Sequence, residues 1–456
     1  MAALGGWLAI LACAAPTPRS GPPVTGAGSG AGAGPGAHAA PPGHAGAVRP
    51  GLDVLLADSL HLVAGRRVGL ITNHTALDAR GRHAIDRLSA AGVELAALFA
   101  PEHGLRGRLD PGQPVTGGRD RRTGVPIHSL YGETRQPTPE MLAGLDVLLL
   151  DLQDVGARYY TYVWTLALAM GAAAEAGVPF VVLDRPNPIG GVLVKGNVLE
   201  PEHASFVGLH PIPMRHGMTM GELARLFNDR FSIGADLRVA PVSGWSREAW
   251  WDATGLPWVP PSPNMPSLES AVHYPGTCLF EGTNLSVGRG TEIPFQQVGA
   301  PWLDGHALAE RLNDRRLPGV RFTPVRFTPS EPGDGKYSGE SVYGVRFVAT
   351  DRERYDPTLT AVAALLEARR LAGARWEWRT AHFDRLAGTT RLRELVEAGR
   401  PLPEIVRPWH EALKAFAFAR RPYMLYGSRA SGGGVAQAGV PSAGPQARCH
   451  RHPKNC

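Results

Sequence analysis

The apolar positions of this chain fall into short, nearly uninterrupted runs set apart by stretches of helical spacing. Arg67-Val-Gly-Leu-Ile-Thr72 reads as a strand, and Ala84, Ile85 and Leu88 then share one face of an amphipathic helix. Residues 93–99, 146–151 and 179–184 read as the next three strands, with a helix over 160–176 between the last two. A helix over 222–231 and a strand over 237–242 continue the alternation. Aliphatic strands joined by helices predict an α/β fold built on a parallel sheet covered on both faces.

Each strand runs into polar chemistry. The first ends in Asn73-His74-Thr75 and the second in Pro101-Glu102-His103-Gly104. The third ends in Asp151-Leu-Gln153-Asp154 and the fourth in Asp184-Arg185-Pro186-Asn187-Pro188. Ligands of open α/β sheets bind at the carboxyl ends of the strands. Each of these residues also has a structural reading, because Asp and Asn cap turns and bond to nearby backbone. Their convergence on one rim marks the candidate site.

A second polar concentration follows. Trp258-Val-Pro-Pro-Ser-Pro-Asn264-Met-Pro266 is locked by proline and excluded from helix. It leads through Tyr274-Pro-Gly-Thr-Cys-Leu-Phe280-Glu281-Gly-Thr-Asn284 to Ser286-Val-Gly-Arg289-Gly-Thr291-Glu292, read here as a long loop whose polar heads form a binding surface.

Composition narrows the class. Hydrophobic residues make up 43% and charged residues 19%, the balance of a globular protein. The formal charge of +6 carries no basic run interleaved with aromatics, which argues against nucleic-acid binding and fits an acidic polymer. Residues 1–15 hold a short apolar stretch ending in Ile10-Leu11-Ala12-Cys13, like an export signal with a lipoprotein box. Cys13 is then the lipidated residue and a possible membrane tether, placing the protein in the cell envelope. Residues 16–48 are a Gly/Ala/Pro-rich tether, and 427–456 a tail of similar composition with Cys449 and Cys456. Cys278 is a lone structural thiol. No dinucleotide or P-loop glycine pattern, no G-x-S-x-G elbow and no H-E-x-x-H occurs, so neither cofactor nor metal is expected.

The runs PEHGLRG, DLQDVGARYYTYVWTL, LDRPNPIGG, PSPNMPSLESAVHYPGTCLFEGTNLSVGRGTEIPF and FDRLAGT with RRPYMLY resemble the NamZ-type exo-β-N-acetylmuramidases over the whole folded region. The resemblance implies a Rossmann-like N-terminal domain (49–277), a smaller C-terminal α/β domain (278–426) and an active-site cleft between them. It also implies release of N-acetylmuramic acid from non-reducing ends of peptidoglycan-derived oligosaccharides.

Glycoside cleavage needs an acid for the departing oxygen and stabilisation of an oxocarbenium-like transition state. Glu102 matches the motif's glutamate and is the expected acid. Asp154, Glu281, Glu292 or the substrate's own acetamido oxygen are the candidates for the second role. Arg289, between two glycines, is expected to grip the lactyl carboxylate, with Arg158 as the next choice. His103, Asn73, Tyr160, Asn187 and Asn284 are expected substrate contacts. An exo-N-acetylglucosaminidase and a non-catalytic peptidoglycan-binding lipoprotein are the rival readings. An amidase or peptidase is disfavoured by the missing nucleophile and metal signatures.

Overall fold

The computed structural model describes residues 47–110 and 112–428. The expected leader with Cys13, nearly all of the tether and the tail from 429 onward lie outside the described residues. Val48 and Tyr426, near the two ends of the described chain, are both buried and meet in one small cluster with Val242 and Trp245.

The strands are β1 (Arg67–Thr72), β2 (Glu94–Ala100), β3 (Gly118–Arg119), β4 (Pro126–Ser129), β5 (Val147–Asp151), β6 (Phe180–Leu183), β7 (Lys195–Val198), β8 (Pro213–Arg215) and β9 (Leu237–Ala240). Seven of them form one sheet in the order β3-β4-β2-β1-β5-β6-β9, parallel throughout except for the β3–β4 pair at one edge. β7 and β8 make a separate antiparallel pair. All five strands expected from the sequence are present, within two residues of the expected bounds.

Alternation within these runs supplies both faces of the sheet. Ile71, Phe99, Leu148, Leu150 and Val182 pack with the helix Tyr162–Ala176. Leu70, Leu98, Leu149 and Val181 pack on the other side with Leu52 and Leu55 of Gly51–Asp58 and with Ile85 and Leu88 of Ala84–Ala90. A sheet so enclosed has no polar face, which is why its strands read as continuous apolar runs. Strand order reverses between β1 and β5, the topological switch point where such sheets open a crevice at their carboxyl ends.

The later part of the chain holds a smaller antiparallel sheet of β10 (Gln297–Ala300), β11 (Val320–Phe327) and β12 (Val342–Ala349), ordered β10-β12-β11. The helix Gly305–Asp314 packs with it and in turn with a second helix, Pro357–Ala372, and shorter helices follow from Thr380 to Ala419.

One stretch differs from its reading as loop. Residues Leu268–Thr277 are helical, with Pro275 in the last turn, and a single 3₁₀ turn, Cys278–Gly282, continues directly from them. Proline there forfeits one backbone bond near the helix end, while Ala271, Val272 and Tyr274 gain burial. Gly276 lets the helix press on Pro357: a Cβ there would stand 1.9 Å from that residue's carbonyl oxygen. The boundary expected at 277/278 thus falls inside a continuous helical stretch.

Candidate active site

A cleft of about 640 Å³ opens at the carboxyl end of the large sheet, within the usual range for small-ligand sites. Glu102, Tyr131 and Thr161 line it from the N-terminal part, and Glu281, Arg289 and His382 from the C-terminal part. The rigid 258–266 segment contributes Ser262 and Asn264 to the wall.

Glu102 follows β2, next to the switch point. It is 7% exposed. Its Oε1 accepts from the Gly112 amide at 3.0 Å, and its Oε2 accepts from the Thr161 hydroxyl at 2.6 Å. Thr161 immediately precedes the helix Tyr162–Ala176, so the strand after the switch point supplies the partner that seats the carboxyl. Tyr131 lies near the same group: burial, then the charge of Glu102, push its phenol up to about 12.

The loop after Glu102 is tightly wound. His103 has φ 68°, a left-handed conformation that histidine adopts more readily than most residues. Its Nδ1 lies 2.7 Å from the Leu109 carbonyl, which can only accept, so Nδ1 carries the hydrogen. Burial holds the imidazole below its usual range against the opposing pull of Glu102, leaving a neutral ring that lines the cleft. Gly107, at φ 65°, passes so close to His74 that a Cβ would stand 1.8 Å from the ring.

On the opposite wall Arg289 Nε donates to Glu281 Oε1 at 2.5 Å. Burial pushes the Glu281 carboxyl up, but Arg289 outweighs it, with Lys336 and His382 adding to the effect, and the group is held below its usual range. Glu281 is therefore an ionised carboxylate. Arg289 Nη1 is buried and has no partner among the described residues, so one arm of the guanidinium is free for a ligand. Lys336 is buried behind this wall and donates to the carbonyls of Phe280, Glu281 and Leu285 at 3.2, 3.3 and 2.8 Å. Burial, its largest influence, pulls it down to about 8.

Of the expected site residues, Glu102, His103, Tyr160, Glu281 and Arg289 line the cleft. The others are placed elsewhere. Arg158 is fully buried, and its guanidinium donates to the carbonyls of Asn197, Ile212, Leu386 and Ala387 at 2.8–3.0 Å, which makes it an internal clamp rather than a lactyl ligand. Asn187 caps a turn through Ile189 N and donates to the Met218 carbonyl. Asn73 holds Thr75 and donates to the Tyr162 hydroxyl beneath the site. Asp154 is buried, accepts from the Gly156 amide at 2.7 Å and lies 3.4 Å from His216 Nε2. Asn284 donates to the Arg375 carbonyl, and Glu292 is exposed to solvent away from the cleft. None of these six polar heads lines the cleft.

Thr161, Tyr131 and His382 were not anticipated. Thr161 lay within a recognised motif, whereas Tyr131 and His382 stand in segments with no distinguishing pattern. Among the described residues no cluster of His, Cys, Asp and Glu is arranged to hold a metal ion.

Residues 68–269 match the family described as "Exo-beta-N-acetylmuramidase NamZ, N-terminal", and residues 272–426 match its C-terminal counterpart. The peptidoglycan beta-N-acetylmuramidase NamZ of Bacillus subtilis (strain 168) is 46% identical over 381 residues, covering 83% of this chain and 91% of that protein. A crystal structure of a DUF1343 family protein from Bacteroides fragilis NCTC 9343 superposes with a TM-score of 0.77 at 37% identity, covering 83% of this chain and 99% of the other. A second DUF1343 protein from the same organism gives 0.67 at 31% identity, covering 84% and 99%. With both halves matched in order and a closely similar relative aligned over most of its length, the chain belongs to the NamZ family of exo-β-N-acetylmuramidases.

Proposed function

We propose that this protein is an exo-acting glycoside hydrolase that releases N-acetylmuramic acid from the non-reducing ends of peptidoglycan fragments, with Glu102 as the acid. The observation that carries the reading is the seat of that carboxyl. One oxygen rests on a backbone amide, and the other lies 2.6 Å from a hydroxyl. A hydroxyl donates to a carboxylate and accepts from a carboxylic acid, so Thr161 suits Glu102 before and after it gives up a proton.

Cleavage also requires something to face the positive charge that develops at the anomeric carbon. Glu281 is the carboxylate for that task, kept ionised by Arg289. It acts directly on the sugar or by orienting the substrate's acetamido oxygen as the attacking group. The free Nη1 of Arg289 suits the lactyl carboxylate, a charge-assisted contact that distinguishes muramic acid from glucosamine. Export and a lipid on Cys13 would hold the enzyme in the cell envelope, beside this substrate.

Glu102→Gln is the direct test. Turnover on a muramic acid glycoside should fall by roughly 10²-fold or more with the fold intact, as for loss of a general acid. Near-normal turnover in the folded variant removes Glu102 from the mechanism. Product analysis on a defined disaccharide identifies the released sugar, and release of N-acetylglucosamine from its non-reducing end would reassign the specificity.

A further inference from the structure

Two arginines on the cleft wall face solvent without a carboxylate of their own. Arg135 stands on the N-terminal side, its guanidinium carbon 4.2 Å from the centroid of the Phe206 ring and 5.0 Å from that of Tyr131. Arg385 projects from the helix Thr380–Ala387 on the other side. Both are exposed. Three acidic groups in or beside the cleft are engaged by other bases: Glu281 by Arg289, Asp334 by Lys336 and Asp384 by Arg393. Among the described residues neither Arg135 nor Arg385 forms an ion pair.

We propose that Arg135 and Arg385 form an outer subsite for a carboxylate on the leaving side of the scissile bond, namely the lactyl group of the next muramic acid along the chain. The inference rests on the muramidase reading above. Glycan strands of peptidoglycan alternate two amino sugars, so beyond a terminal muramic acid lies one glucosamine unit and then a second lactyl carboxylate. The terminal unit's own carboxylate has Arg289, deep in the cleft. Arg135 stacks on Tyr131, whose phenol lies close enough to Glu102 to feel its charge, and Arg135 itself is exposed, so it stands on the solvent side of the acid. Stacking on two rings fixes the plane of its guanidinium and leaves the N–H fork to meet a carboxylate. Arg385 approaches the same cleft from the other part of the chain, so an acidic leaving group is met from both walls.

The test compares kcat/KM for the disaccharide N-acetylmuramyl-N-acetylglucosamine with that for the trisaccharide carrying one further muramic acid. The expected result is a preference for the trisaccharide on the order of tenfold at low salt, shrinking as salt screens the exposed charges. In Arg135→Ala and Arg385→Ala the ratio should collapse towards one. A trisaccharide whose third lactyl group is a carboxamide should lose the advantage with the unaltered enzyme. A ratio near one in the wild type, an unaltered ratio in both variants, or full advantage with the carboxamide would each overturn the subsite. Failure to cleave either saccharide is a separate result: it removes the muramidase reading, and the subsite with it.

Discussion

Replacing Arg158 by alanine separates a structural clamp from a substrate ligand, because the two roles predict opposite signs in stability. The guanidinium donates to four carbonyls drawn from three parts of the chain. Two of these keep another donor, since Ile212 O also accepts from Leu199 N and Ala387 O from the Asn197 side chain. The remaining two lose the guanidinium, at about 2 kcal/mol each. Loss of the two buried stem methylenes adds about 1.6 kcal/mol. Against this stands the relief of burying a charge: burial pulls the guanidinium down to about 10, a penalty of roughly 3 kcal/mol. The balance is a net loss of roughly 2–3 kcal/mol, which lowers Tm by roughly 2–4 °C for a body of this size. Thermal melts followed by circular dichroism measure it, and KM for a muramic acid glycoside should stay within about twofold at a temperature where the variant is folded. Had Arg158 been placed to grip substrate, its removal would relieve an unrewarded buried charge, leaving Tm unchanged or higher while KM rose. That outcome would refute the clamp.

The other expectations are more quickly stated. In Gly107→Ala the new Cβ would overlap the His74 ring, whose Nε2 is pinned 2.7 Å from the Pro260 carbonyl; kcat should fall at least tenfold through displacement of the Glu102 loop, and trimming the ring with His74→Ala in the same chain should recover part of it. Burial lowers His74, His83, His103, His128, His210 and His382 below 6.5, so the unfolded chain takes up their protons first on acidification. Stability in urea should therefore decline as pH falls below about 6.5 and on through the lower folded values. Asp184, raised to about 6 by its burial, works in the opposite direction between there and 3.8, and Asp184→Asn should steepen the decline. Lys336 loses its charge above about 8; activity should fall on that alkaline side, and Lys336→Met should show reduced kcat at neutral pH with the limb near pH 8 gone. A limb unchanged in that variant would remove Lys336 as its source.

The large sheet was legible because its strands are enclosed on both faces. Leu148, Leu149 and Leu150 point alternately into two different cores, and a run with no polar face has few other uses. The helix over Leu268–Thr277 was hidden by Pro275 and Gly276, which read as breakers. Their effect was outweighed by long-range packing, the close approach to Pro357 above all, and a contact between residues so far apart leaves no local pattern. The smaller sheet was hidden for another reason. In β11 only Phe322 is buried, the exposed Arg321, Pro324 and Arg326 are unevenly spaced, and Pro324 stands mid-strand, so neither alternation nor continuity identifies it.

The site raises a sharper question, because the residues offered by the sequence were chemically equivalent before folding. Asp151, Asp154, Asn187 and Glu102 all stand at or just beyond the ends of sheet strands, yet only Glu102 reaches the cleft. What separates them is where their hydrogen-bonding capacity is used. Asp151 meets the Arg185 side chain at 2.5 Å, and Asn187 spends acceptor and donor on two backbone groups of its own turn region. Each is locked by neighbours close in sequence or in the next strand-end loop. Glu102 differs because its loop bends back through left-handed turns at His103, Gly104 and Gly107 and brings Gly112 N–H against the carboxyl. Its remaining partner is a hydroxyl at the start of a helix from the far side of the switch point. A hydroxyl can partner a carboxyl group with or without its proton, whereas a paired arginine favours the anion alone. Glu281 completes the contrast: the same side chain, bound to Arg289, is fixed as an anion. In the proposed mechanism, the division of labour between the two carboxyls would thus be set by their partners, Thr161 and Arg289.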